Sequence, residues 1–204
     1  MAGRNKGVPG PIKLQMPPLP ALIWDGHFWN GSVRLPSWRG FLSRARRGSR
    51  PSDGTARLVF AHQGAGPPTL PTPEQLAAFT FLLDNHRAIA ATAQRALYRH
   101  AREKLARRRF DDDGAASKLT NVAGLRKRMG LSYVHVLHNA LDGVAYLGLE
   151  LGCTWDPEHG AGVLFHKKRL IDVGEASASF HEGVAASDAR RKDRSRGART
   201  KRRR

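Results

Sequence analysis

A single cysteine, Cys153, excludes an intramolecular disulfide and leaves no Cys-based zinc set within one chain. A reducing, cytoplasmic compartment is the simplest setting for such a chain. No apolar run approaches the roughly 18 residues that span a bilayer. The opening Met1-Ala-Gly-Arg-Asn-Lys-Gly runs into prolines with no apolar signal region. Neither a membrane partner nor a secretion signal is expected. The P-loop, G-x-G-x-x-G and G-x-S-x-G patterns are also absent, which leaves the common nucleotide-binding and hydrolase classes without support. Acidic residues are scarce, with 17 Asp and Glu against 35 Lys and Arg.

What remains is a basic chain of 204 residues with a formal charge of +18 and 40% hydrophobic residues. That length fits one domain with extensions. Basic proteins often meet nucleic acid or another polyanion. Arginine supplies 26 of the cations and lysine 9, and GC-rich coding produces such a balance with no functional demand. The charge is uneven. Between Ser187 and Arg204 there are ten Lys/Arg and two Asp, a net of +8. That stretch has no large apolar side chain to offset the entropy of ordering, so 182–204 reads as a disordered basic tail. Arg190, Arg191, Lys192, Arg202, Arg203 and Arg204 in the tail are candidate polyanion contacts. Arg44, Arg46 and Arg47 in a Ser/Gly/Pro-rich loop join them. Nonspecific nucleic acid is the partner they suggest.

Residues 1–20 are rich in Pro and Gly and read as a flexible arm, and 21–181 as a single α+β domain. Asp25-Gly26 and Asn30-Gly31 are both hairpin signals, too close together to serve as two tight turns. Asn30-Gly31 is the preferred turn, joining 22–29 to 32–36, with Asp25-Gly26 as a bulge or bend. Ala56 to His62 reads as the next strand. Thr72-Pro73-Glu74-Gln75 is a specific helix start, with Thr72 as cap, Pro73 in the first turn and Gln75 completing a capping box. Apolar residues at helical spacing carry the helix to about Arg108. At 1.5 Å per residue it would be roughly 54 Å long, so its far end is expected to protrude, kink or pair with another subunit. Strands follow at 131–138, 144–155, 162–166 and 169–173. In the second of these, Leu147, Leu149, Leu151, Cys153 and Trp155 keep a two-residue period. The expected fold is a mostly antiparallel sheet of about six or seven strands. One long helix is inserted between its N-terminal and C-terminal strand groups and packs on one face.

The densest polar cluster is Asp156, Glu158 and His159, with His166 on the following strand and Trp155 beside them. Two carboxylates and an imidazole suit acid–base or metal chemistry. The spacing matches no established metal motif, and Asp156-Pro-Glu-His-Gly160 also reads as plain turn chemistry. No metal, cofactor or catalytic residue is therefore assigned, and Trp155, Asp156, Glu158, His159 and His166 stand as a candidate functional loop. Cys153 lies on the apolar register, as a buried cysteine would. A Cys153–His166 pair is the reactive alternative. His135 and His138 lie three apart on a strand and so face opposite sides. His86 on the helix's apolar face reads as a satisfied boundary histidine. Trp24, Trp29, Trp38 and Phe28, near Arg34 and Arg39, are either core or a stacking platform for single-stranded nucleic acid.

The run from Tyr146 through Trp155-Asp-Pro-Glu-His-Gly-Ala-Gly-Val163 to Gly174 resembles the C-terminal G-x-x-x-x-W-D-x-E-H-G-x-G-V hairpin signature of a bacterial domain-of-unknown-function family. Ala161 stands where Leu is expected. Some proteins of this kind occur in toxin–immunity neighbourhoods. The resemblance thus implies an uncharacterised, non-catalytic binding or interaction domain, immunity-like in role, with a protein partner. The alternative is nucleic-acid binding through the basic tail and arginine clusters.

Overall fold

The computed structural model describes residues 11–42, 50–62, 64, 68–107 and 119–201, and the backbone alone at 193 and 195–201. Eight strands form one sheet in sequential order. They are β1 (Lys13–Leu14), β2 (Leu22–Trp24), β3 (Phe28–Arg34), β4 (Thr55–Ala61), β5 (Met129–Leu141), β6 (Val144–Cys153), β7 (Asp156–His166) and β8 (Arg169–Gly174). Every neighbouring pair is antiparallel except β4 and β5. Parallel neighbours need a long crossover, and the helix α1 (Pro73–Arg107) supplies it. The sheet is thus two antiparallel meanders joined by one parallel seam.

The strand count is eight rather than six or seven because the Pro-rich arm contributes β1. Lys13 pairs with Ile23 and Leu14 with Leu22, and Leu19 is buried. The described end of the 1–20 arm therefore belongs to the packed body. The hairpin turn is also corrected, to Asp25-Gly26. Asp25 Oδ1 accepts from the backbone N–H of His27 and Phe28 at 2.9 and 2.8 Å. Gly26 takes a φ of 105°, which a side chain resists. Asn30-Gly31 runs through β3 instead, and Asn30 Nδ2 donates to Asp25 Oδ2 at 2.7 Å. Asn30, from the second hairpin signal, thus braces the turn made by the first.

The capping box at α1 forms as expected. Thr72 N–H donates to Gln75 Oε1 at 3.0 Å and Gln75 N–H to Thr72 Oγ1 at 3.3 Å. Gln75 is buried, and its Nε2 also donates to the Ala61 carbonyl at 2.9 Å, tying the helix start to the end of β4. Phe79, Leu82, Ile89, Ala93 and Leu97 line one face of α1 and pack on Leu58, Phe60, Val136, Leu149 and Val163 of the sheet. Each buried side chain of Leu or Phe size contributes about 2 kcal/mol. The far end of α1 lies on the body, because Ala101 and Leu105 are buried.

On the opposite face, a 3-10 turn over Ala176–Phe180 leads into α2 (Glu182–Lys201). Ala185 joins Leu137, Leu141, Tyr146 and Leu164 in a second, smaller core. Ala185 and Asp188 are buried. The boundary drawn at 181 therefore falls inside the packed body, and the segment expected to be disordered from 182 begins as a docked helix. The signal was a single buried alanine and one aspartate, too little to be read as periodicity. Among the described residues, no helix is long and apolar enough to cross a membrane.

Candidate functional site

The expected loop resolves into separate pieces. The tight turn of the β6–β7 hairpin falls at 154–155, and Cys153 faces Asp156 across it. Residues 156–160 thus open β7 rather than making the turn, although Gly160 keeps the left-handed φ of 63° expected of it. Trp155 and Asp156 are buried, whereas Glu158 and His159 are exposed. Asp156 Oδ2 accepts from Lys104 Nζ at 2.9 Å, and its Oδ1 lies 3.0 Å from His159 Nδ1. Lys104 also donates to Glu175 at 2.7 Å. Burial alone would raise the Asp156 carboxyl, but hydrogen bonds from Lys104 and His159 outweigh it and hold the group at about 2. A carboxylate so acidic is a poor proton carrier near neutral pH. Ligating atoms of Asp156, His159 and Glu175 lie within 4.8 Å of one another. The Lys104 ammonium already bridges the two carboxylates there, so it occupies the position between them that a cation would take. It fastens the far end of α1 to β7.

His166 stands at the other end of β7, roughly 30 Å away at 3.3 Å per residue. Its Nε2 meets the Leu141 carbonyl at 2.8 Å, and its ring packs 5.0 Å from that of Tyr146. Cys153 belongs to the core under α1. Burial pushes its thiol up to about 12. The Cys153–His166 pair is thereby excluded by geometry and by chemistry. His135 and His138 turn to different carboxylates, Glu150 at 2.8 Å and Glu182 at 3.0 Å. His86 Nδ1 lies 3.0 Å from Ser37 Oγ, the satisfied boundary position expected of it.

The supposed tryptophan platform divides between the two faces. Trp29 and Trp38 are buried in the core. Phe28, one residue from Trp29, points the other way and is 43% exposed. Strand register shows what lies around it. Phe28 pairs with Ala61 and Asn30 with Val59; Val59 is beside His135, and Arg57 beside Tyr133. These residues form the sheet face away from α1. Together with Phe180 they line a cleft of about 450 Å³, with Asp25 and Glu182 at its edge. Phe180 is 45% exposed, and Ile23, on the same face by its pairing with Asn30, is 46% exposed.

The cleft is built of rings and one cation. Tyr133 and His135 stack with centroids 5.7 Å apart, and Phe180 tilts against His135 at 5.2 Å. The Arg57 guanidinium lies 5.2 Å from the Tyr133 ring centroid and donates to its hydroxyl at 3.0 Å. The carboxylates at hand are engaged. Asp25 braces its own turn, Glu150 meets His135, and Glu182 meets His138. Of this surface, sequence reading had only Phe28, within the expected stacking platform, and missed the rest. The trace of the rest is the alternation Arg57, Val59, Ala61 and Tyr133, His135, in which polar and apolar side chains share a face that helical cover would have made uniformly apolar.

Of the candidate polyanion contacts, Arg190, Arg191 and Lys192 are exposed on α2. Arg191 is paired with Asp188 at 3.0 Å, and Arg190 bonds Ser187 at 3.2 Å. Arg44, Arg46, Arg47, Arg202, Arg203 and Arg204 lie outside the described residues. Residues 56–180 match the family described as "Domain of unknown function (DUF6985)", and the chain belongs to that family. No curated protein and no solved structure matches. The matched span includes β4 to β8 and Phe180, while Asp25, Phe28 and Asn30 of the cleft precede it and Glu182 follows it.

Proposed function

We propose that this family member is a non-catalytic binding domain whose contact surface is the uncovered face of β3, β4 and β5. One observation carries the reading. Half-exposed Phe28 and Phe180, the Arg57–Tyr133 pair and the Tyr133–His135 stack line a part of the sheet that no described segment covers, beside a part sealed by the 176–180 turn and α2. Ordinary packing hides such rings, and a patch of exposed apolar surface rimmed by polar groups marks an interaction site. The chemical alternatives have less support. Asp156 is neutralised by Lys104, and Cys153 is buried and inert. An immunity-like role would make the partner a protein. Arg57 and the basic α2 suit nucleic acid as the alternative partner.

The test is retention of a partner by the full chain on affinity purification from its own cells, with and without nuclease. Phe28→Asp combined with Phe180→Asp is expected to lose that partner while melting close to the parent chain. Equal retention by parent and variant would place the contact surface elsewhere.

A further inference from the structure

Resting on that reading of the sheet face, we infer that its occupant is single-stranded nucleic acid, with bases stacked on Phe28 and Phe180 and a phosphate against Arg57. Three features of the cleft point to this chemistry. First, its rings are partly exposed on an open sheet rather than sunk in a pocket. A flat base needs a flat partner with one free face, and every base offers such a face whatever the sequence. Tyr133 is already engaged by the His135 ring and the Arg57 guanidinium, so half-exposed Phe28 and Phe180 are the rings that offer a base such a face. Second, the cation is available. Arg57 meets an uncharged partner, the Tyr133 hydroxyl, whereas Asp25 and Glu150 each bond within the chain and Glu182 lies 3.0 Å from His138. Arg34 is exposed on the same face, by alternation along β3 from Phe28. Guanidinium groups beside rings bind phosphate and stack at once. Third, the whole chain carries +18, which raises the local concentration of any polyanion. Helix α2 leaves the cleft edge at Glu182 and carries exposed Arg190, Lys192 and Arg194 further along.

A duplex fits less well, because its bases are already stacked on one another and present only edges to a protein. A protein partner is the competing occupant of the same surface, and the experiment below separates the two.

Fluorescence anisotropy of the full chain tests the inference. The probes are short labelled single-stranded RNA and DNA of mixed sequence and the matching duplexes. Single strands are expected to bind at least about tenfold more tightly than duplexes. Phe28→Ala with Phe180→Ala should weaken single-strand binding about tenfold or more, the loss typical of removing stacking partners. Arg57→Gln should lower the slope of log affinity against log salt by about 0.7, the loss of one phosphate contact. Equal binding of single strands and duplexes, unchanged by the ring substitutions, would overturn the inference and leave only electrostatic attraction by the basic segments. A chain that binds no oligonucleotide, but loses a nuclease-resistant partner on Phe28→Asp with Phe180→Asp, would also overturn it. In that case the contact surface stands and its partner is a protein.

Discussion

One row of residues crosses the sheet from Asn30 through Val59, His135 and Gly148 to Leu164. At its Gly148 end the face is sealed, and at its Asn30 end no described segment packs over it. The difference lies in what each strand offers at the row. Gly148 has no side chain, so the backbone of Ala176–Phe180 settles directly on β6, and a Cβ at Gly148 would stand 1.6 Å from the Ser179 carbonyl oxygen. Gly162 on β7 makes the same allowance, with a Cβ there 2.6 Å from the Ala176 oxygen. His135, next in the row, raises a ring instead. Phe180 stops against it, and the covering segment turns into α2 away from β4. The cleft therefore exists because glycine ends at β6. A cover seated backbone on backbone cannot slide over imidazole.

The sharpest way to break this comparison is to give the sealed half a side chain. Gly148→Ala is expected to cost about 3 kcal/mol, the upper range for overpacking a core, because backbone rather than a flexible side chain blocks the added methyl. Urea unfolding of the full chain measures it. A loss below about 1 kcal/mol would show that the 176–180 segment lifts freely and that the two halves differ less than their packing implies.

The second test concerns what pins the cover once it is seated. Asp188 accepts from Arg169 at 2.8 and 2.5 Å, from the Tyr146 hydroxyl at 2.8 Å and from Arg191 at 3.0 Å. The Arg169 hydrogen bonds, aided by Tyr146 and Arg191, overcome burial and hold the Asp188 carboxyl well below its ordinary range. A depressed carboxyl stabilises the fold fully above the unfolded value of about 3.9 and less as pH falls through that value towards the folded one. Asp188→Asn should cost about 2 kcal/mol at neutral pH, discounted for the partial exposure of Arg169. The gap between variant and parent should narrow below about pH 4. Asp156, held at about 2, keeps an acid-sensitive contribution in both proteins over the same window. A gap that stays constant from pH 7 to acid would show that Asp188 acts through packing and not through its charge.

The sealed half was the legible half. The two-residue period from Leu147 to Cys153 and the capping box at Thr72 each depend on neighbours in sequence, and both form as their patterns predict. The parallel seam between β4 and β5 follows from inserting a helix between strand groups. What escaped reading depends on distant partners. Asp25 and Asn30 compete for the same hairpin, and a side-chain hydrogen bond between them decides it. Lys104 lies 52 residues from Asp156, so nothing local shows that the carboxylate is already neutralised. Docking of α2 hangs on Asp188 finding Arg169 and Tyr146. The cleft is less legible still, because it is defined by where a covering segment ends.

The smallest effect separates a contact surface from a loosely packed core. Truncating a fully buried phenylalanine such as Phe60 or Phe165 costs about 3 to 5 kcal/mol. Phe28 and Phe180 are each close to half exposed, so they bury little against the fold. Phe28→Ala and Phe180→Ala together should cost about 1 kcal/mol in urea, much of it from the contact of Phe180 with the His135 ring. The measurement is a stability experiment with a functional meaning. Phe28 and Phe180 line one cleft, and rings that contribute little to folding are free to serve a contact from outside the chain. If the double variant instead lost 3 kcal/mol or more, the rings would be serving the fold, and the bare half would be an extension of the core under α2.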